Sequence, residues 1–248
     1  MRHAICLILL AVFTGPAWAD DARSYVILSL LGDRLAIISP QWSTGTNLDK
    51  TVRDYLKLDT PAIDHAALVA ADDVLRKTSP GAKASMLMVN DPAVYAAQAR
   101  ALDDGSPVRA ILPTLSKVLG GAQATHLILF SKLRHDAIFD IDKGHVGSGK
   151  IEGLGFYIDR ITTLRVLGDV NDDVGFLAPF AYFRISVVEI ASGKVLADRE
   201  VLASETHPGH ASAHPWDELT PQQKVNALRT MLGNEITATL PSVLASVH

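Results

Sequence analysis

Three histidines, His207, His210 and His214, fall within the run ETHPGHASAHPWDEL, with Glu205 and Asp217 beside them. Neutral imidazoles and carboxylates are the ligand types for zinc, copper or nickel. On a helix, the spacing H-x2-H-x3-H would bring two or three rings to one face. Pro208, Gly209 and Pro215 point instead to a loop, which can wrap a metal but does not preorganise one. His207, His210 and His214 are therefore the candidate metal set, for zinc or copper. The expectation is a histidine-containing loop ahead of the last helix that binds either metal weakly or not at all.

Other stretches carry parts of a chemistry without its full pattern. Asp169, Asn171 and Asp173 alternate like the first half of a calcium loop, but Val174 stands where glycine makes the sharp turn and Phe180 where a glutamate would close the site. The run GHVGSGK at 144–150 matches G-x4-G-K, yet Ile151 replaces the magnesium-binding Ser/Thr, and IEGLGFYID after it reads as strand where a phosphate site needs a helix start. Ser131, Ser148 and Ser186 occur outside any G-x-S-x-G elbow. Glu152 with Asp159, or Asp140 with Asp142, can be paired as carboxylates, but a chain with 27 acidic residues offers many such pairs. No enzyme reading follows from these parts.

The elements that would position these groups centre on residues 182–202. Two β-rich runs flank Ala191-Ser192-Gly193-Lys194, a polar break with the glycine a tight reversal needs. Phe183, Ile185 and Val187 fall on one face, Val188 and Ile190 on the other, which predicts a central strand covered on both sides. Arg199 and Glu200 mark the second run turning to solvent.

Residues 24–39 read as a second hairpin around Gly32-Asp33. Thr60-Pro61, Asp91-Pro92, Ser106-Pro107 and Thr220-Pro221 each announce a helix, since a side-chain oxygen accepts a first-turn N–H and proline at N1 loses none. Gln223 completes a capping box with Thr220. Ile63, Ala67, Ala70 and Val74 make the first apolar stripe, and residues 108–119 another, which Pro113 should bend or delay. Residues 84–90 read as a buried strand, 125–133 as a strand, 137–141 as its neighbour, and 151–167 as a strand loosened by Gly153 and Gly155. Val225, Leu228, Leu232 and Ile236 form the face of the last helix, which Pro241 should kink or end.

Residues 1–19 read as a secretory leader: Arg2, an apolar stretch over 4–13, and Ala17-Trp18-Ala19 before Asp20. The apolar stretch is far short of the roughly 20 residues that span a bilayer. Cys6, the only cysteine, lies inside it, so residues 20–248 hold no disulfide, thiolate metal site or cysteine nucleophile. Losing Arg2 takes the net charge from −4 to −5, with 22 basic against 27 acidic residues. Scattered Lys and Arg on an acidic chain make nucleic acid a poor partner. No later run is long enough to cross a membrane. At this length one core is the expectation, so residues 20–248 are read as a single mature domain.

Early strands separated by helices, then consecutive strands and a closing helix, predict an α/β (α+β mixed) fold: one mixed sheet with helices packed on it. The order of a helix, the strand at 125–133, and the hairpin at 183–201 with its Ala-Ser-Gly turn resembles exported α/β accessory domains. These are the TolB amino-terminal domain and the outer-membrane accessory proteins CsgG and LpoB, and the resemblance covers about half of residues 20–248. This chain lacks their lipidated cysteine. The resemblance implies a partner-binding role in the cell envelope. The expected function is an exported, periplasmic or secreted, non-catalytic accessory protein that binds a protein or envelope component. The alternative is a metal-binding protein or metal-dependent hydrolase using the histidine loop. Oligomeric state is not legible.

Overall fold

The computed structural model describes residues 23–40, 51–58, 60–103, 107–121, 123–141, 144–164, 173–209 and 214–247. A mixed sheet of ten strands carries four α-helices. Its backbone is β10 (Asp173–Glu189), which forms the expected hairpin with β11 (Lys194–Ser204) through a turn where Gly193 has φ +67°.

One edge of β10 is shared by two strands laid end to end. β5 (His126–Lys132) pairs antiparallel with Phe183 to Glu189, and β9 (Lys150–Leu164) with Asp173 to Tyr182. The sheet therefore divides into two branches. β5 leads to β1 (Ser24–Ser29) and β4 (Lys83–Leu87), all parallel; β9 leads to β2 (Arg34–Pro40) and β3 (Thr51–Lys57). The opposite edge of β10 holds β11 and the two-residue β12 (His207–Pro208). Pro179 stands where that neighbour is interrupted, a position that needs no N–H, and its carbonyl accepts from Glu205 N at 3.1 Å.

Alternation along β10 sorts the core. Leu177, Ala181, Phe183, Ile185 and Val187 face α1 (Ala62–Thr78) and α4 (Pro221–Ala245). On the other face, Val188 meets α2 (Pro92–Asp103) and α3 (Pro107–Leu119). Phe176, Phe180 and Tyr182 join an aromatic cluster under the hairpin of β7 (Phe139–Ile141) and β8 (Gly144–Val146). In that cluster Phe139 and Tyr157 lie 4.5 Å apart between ring centres. The short β6 (Arg134–Asp136) pairs with the start of β9.

Several expectations need correction. Residues 24–39 do not form a hairpin: β1 and β2 sit in different branches and run in the same direction. A two-residue reversal requires positive φ, and Gly32 does not have it; the chain continues forward there, held by Asp64. The segment at 84–90 is an exposed edge rather than a buried strand, with Met86 49 % and Met88 42 % exposed. Residues 137–141 pair with β8, not with β5. Thr60 does not cap α1, whose N-cap position is Pro61 with no side-chain hydrogen bond. Asp91 does accept from Ala93 N at 2.9 Å, and Thr220 and Gln223 form the full capping box. Pro113 and Pro241 lie inside continuous helices. Beyond Pro241, α4 is held by Val243 and Leu244 in the core, and Arg23 Nη1 donates to Val247 O at 2.8 Å.

Candidate binding cleft

α1 carries the chain from β3 to β4 over one face of the sheet, while α2 and α3 carry it from β4 over the other face to β5. β1 thus lies between β4, which the chain enters from one face, and β5, which it reaches from the other. In open α/β sheets ligands favour the crevice beyond the carboxyl ends of the strands.

Between β1 and β5 that crevice is filled by protein. Gln98 of α2, 1 % exposed, donates Nε2–H to Leu30 O at 2.8 Å and accepts from Lys132 N–H at 2.9 Å. The Lys132 ammonium pairs with Asp33, and its alkyl stem crosses Gly153, where a Cβ would meet Lys132 Cδ at 2.8 Å. Burial pulls the Lys132 pKa below the ordinary lysine value, against the Asp33 carboxylate that favours the charged form.

The opening lies one strand over, between β1 and β4, as a cleft of about 510 Å³. Asp64, in the first turn of α1, forms its base. Oδ1 accepts from Ser29 Oγ at 2.5 Å, Leu31 N at 2.9 Å and Gly32 N at 3.1 Å, and Oδ2 lies 3.4 Å from the Tyr95 hydroxyl. Burial raises the Asp64 pKa above the usual carboxylate value, opposed by those donors. Tyr95, whose hydroxyl also donates to Val89 O at 3.0 Å, is raised by burial and by the neighbouring Asp64 charge.

One wall comes from the other branch. The Arg34 guanidinium lies 4.1 Å from the Tyr55 ring centre and pairs with Glu152 at 3.3 Å. Glu152 also accepts from Arg134 Nε at 2.9 Å. Lys57 and the half-exposed Tyr55 border the opening, and Met88 faces them across it. The carboxylates here are engaged by protein donors, so the cleft offers an aromatic, a thioether and a cationic rim to an incoming molecule.

The histidines do not enter this cleft. His207 lies on β12; its Nε2 is buried without a hydrogen-bond partner, 3.6 Å from Glu205 Oε1. His214 caps a 3₁₀ turn (Pro215–Glu218), accepting from Trp216 N at 3.1 Å, with its other ring nitrogen against Arg160. Trp216 packs edge-on against Phe156, so His214 holds part of the core wall. His210 lies outside the described residues, within which no three His, Cys, Asp or Glu side chains gather to hold a metal.

Residues 169–172 of the acidic loop and Asp142 are also outside the described residues. The glycine-rich run at 144–150 leads into β9, a strand, as the sequence implies. Ser131 and Ser186 are buried, Ser186 donating to Asp198 at 2.9 Å, and Ser148 contacts the Tyr157 hydroxyl. Asp159 caps its own chain, accepting from Ile161 N and Thr162 N at 2.7 and 2.8 Å, while Glu152 belongs to the arginine cluster.

Sequence reasoning passed over Asp64, Gln98 and Lys132. The signal was there: each is a polar residue at a position where the surrounding pattern calls for an apolar one.

No family model matches this chain, and no curated protein does. Solved structures similar to it include a PelC dodecamer from Paraburkholderia phytofirmans, 8 % identical over 87 % of this chain and 86 % of that one, TM-score 0.27. Lipoprotein GNA1162 from Neisseria meningitidis is 11 % identical over 88 % and 99 %, TM-score 0.30. Hypothetical protein CT253 from Chlamydia trachomatis is 14 % identical over 91 % and 99 %, TM-score 0.36. The overlaps span most of each chain with loose superposition, and no residue role is transferred from them. Among the described residues no helix is long and apolar enough to cross a membrane.

Proposed function

We propose that this is an exported, non-catalytic binding protein of the cell envelope, and that the β1–β4 cleft receives its ligand or partner. The observation that carries the reading is how the cleft's acids are used. Asp33 is taken by Lys132, and Asp64 by Ser29, Leu31 and Gly32. Neither is placed to serve as a general base, which must reach the proton it removes. Tyr55 and Met88, both more than 40 % exposed, are left as the contact surface. The leader pattern at 1–19 supports export, and the likeness of element order to exported accessory domains agrees with it.

Two measurements test the reading. Mature protein recovered from the envelope should begin at Asp20 or within about two residues of it; an intact Met1 removes the export argument. A photoreactive residue replacing Met88 in producing cells should form a defined adduct that the same residue at Asp73, on the far side of α1, does not form. Equal labelling at both positions sinks the cleft as the binding site. A second reading, metal binding through His207, His210 and His214, is favoured by the unpartnered Nε2 of His207, and metal titration decides it.

A further inference from the structure

A second hollow, about 730 Å³, lies away from the cleft, between α4 and the chain linking β11 to β12. Here β11 runs on into β12 in one register along β10, with Glu205 N donating to Pro179 O, and α4 lies beside that edge. Three elements offer large apolar side chains there: Leu202 from β11 (42 % exposed), Ile138 before β7 (41 % exposed) and Met231 from α4. Apolar groups gathered on a polar surface mark an interaction site more often than scattered ones do.

The carboxylates around them have one sign, with the His207 ring also in the lining 3.6 Å from Glu205 and His145 Nδ1 2.5 Å from Asp140. Asp140, Glu205 and Glu235 line the hollow, with the Asp140 and Glu205 side chains 86 % and 62 % exposed. No lysine or arginine lines it among the described residues. The Asn226 and Asn234 amides add hydrogen-bonding groups along α4. The lining residues of α4 run from Gln223 to Glu235, about 18 Å at 1.5 Å per residue, which matches a partner helix of three to four turns.

We propose that this groove docks a basic, amphipathic helical segment of a partner protein. The apolar face of the segment would lie on Leu202, Ile138 and Met231, and its lysines or arginines against Asp140, Glu205 and Glu235. This surface is independent of the β1–β4 cleft.

The probe is a fluorescent synthetic helix-forming peptide of Leu, Lys and Gln, about 14 residues long so as to span the groove. A scrambled peptide of the same composition is the control. Binding is read by anisotropy against tag-free protein. Wild type should bind the amphipathic peptide at least about tenfold more tightly than the scramble, and Glu205→Gln/Glu235→Gln should weaken binding by about tenfold. Asp54→Asn/Asp73→Asn removes the same charge from exposed positions elsewhere and should leave binding unchanged. Leu202→Ser should weaken binding severalfold with the charge intact, and Tyr55→Ala should have no effect. Equal binding of the scramble, or equal loss in the control variant, overturns the proposal in favour of attraction to net charge alone. No binding to wild type overturns it outright. None of the altered side chains is buried, and unchanged circular dichroism of every variant shows that folding is not the variable.

Discussion

Gly32 and Asp64 occupy adjoining space so closely that no side chain fits between them: a Cβ at position 32 would lie 2.6 Å from Asp64 Oδ2. The carboxylate in turn accepts from Gly32 N and Leu31 N, so the forward step from β1 to β2 and the start of α1 are one hydrogen-bonded unit. Gly32→Ala must push the carboxylate off its donors. We expect a loss of about 1–3 kcal/mol in urea unfolding. A change within error would show that the carboxylate gives way freely.

Asp64 also makes stability depend on pH. Its folded pKa is raised, chiefly by burial, so the folded state holds its proton more tightly than the unfolded chain. Stability from this group is then fully present below the unfolded carboxylate value and declines as pH rises through the folded one. Asp64→Asn cannot ionise. Wild-type stability relative to Asp64→Asn should therefore fall as pH rises from about 4, the unfolded value, and level off above the folded pKa. A difference that grows with pH would mean that the carboxylate is stabilising when charged.

Lys132 is 5 % exposed at its side chain and has Asp33 as its ion-pair partner. Removing only the acid strands a buried ammonium, so Asp33→Ala should cost on the order of 3 kcal/mol. Asp33→Ala/Lys132→Met replaces the pair by apolar volume and should recover most of that. Equal loss in the single and double variants would show that the pair contributes nothing through its charge.

Ile185 has no exposed surface and sits on the α1–α4 face of β10, while Leu202, on the partner strand, is 42 % exposed. Ile185→Ala should cost about 2–5 kcal/mol, and Leu202→Ala should lie within about 0.5 kcal/mol of wild type. Similar values for both would remove β10 as the centre of the fold.

Zinc and copper should bind weakly or not at all at neutral pH. His214 already meets Trp216 and Arg160 through its two ring nitrogens, which leaves His207 to carry any metal with His210. Calorimetric titration of tag-free protein, beside His207→Ala/His210→Ala, measures this. A submicromolar site lost in the double variant would establish the metal reading.

The β10–β11 hairpin was legible because Phe183, Ile185 and Val187 share one face, Val188 lies on the other, and its turn chemistry is local. The helix starts at Asp91 and Thr220 were legible for the same reason. The run of residues 24–39 misled because two strands around a glycine look alike whether the chain reverses or continues; the deciding group, Asp64, is 32 residues away from Gly32. β4 reads as buried from Met86, Leu87 and Met88, but its place at the end of the sheet is set by strand order, which no local pattern encodes. The cleft was invisible for that reason too: Arg34, Tyr55 and Asp64 come from three elements and Met88 from the chain just past a fourth.

The hydrogen bond from Arg23 to Val247 brings the two ends of the described chain together. Tyr25 and Ile27 share their core with Leu240, Val243, Leu244 and Val247. β1 is flanked by strands that arrive about 60 and 100 residues later, so almost none of its contacts are local. A chain emerging from a ribosome or a translocation pore therefore cannot close this core until its last helical turn is free. The consequence is kinetic: contacts of such high sequence separation close only after the last helix has joined, which makes folding slower than for a chain of local contacts.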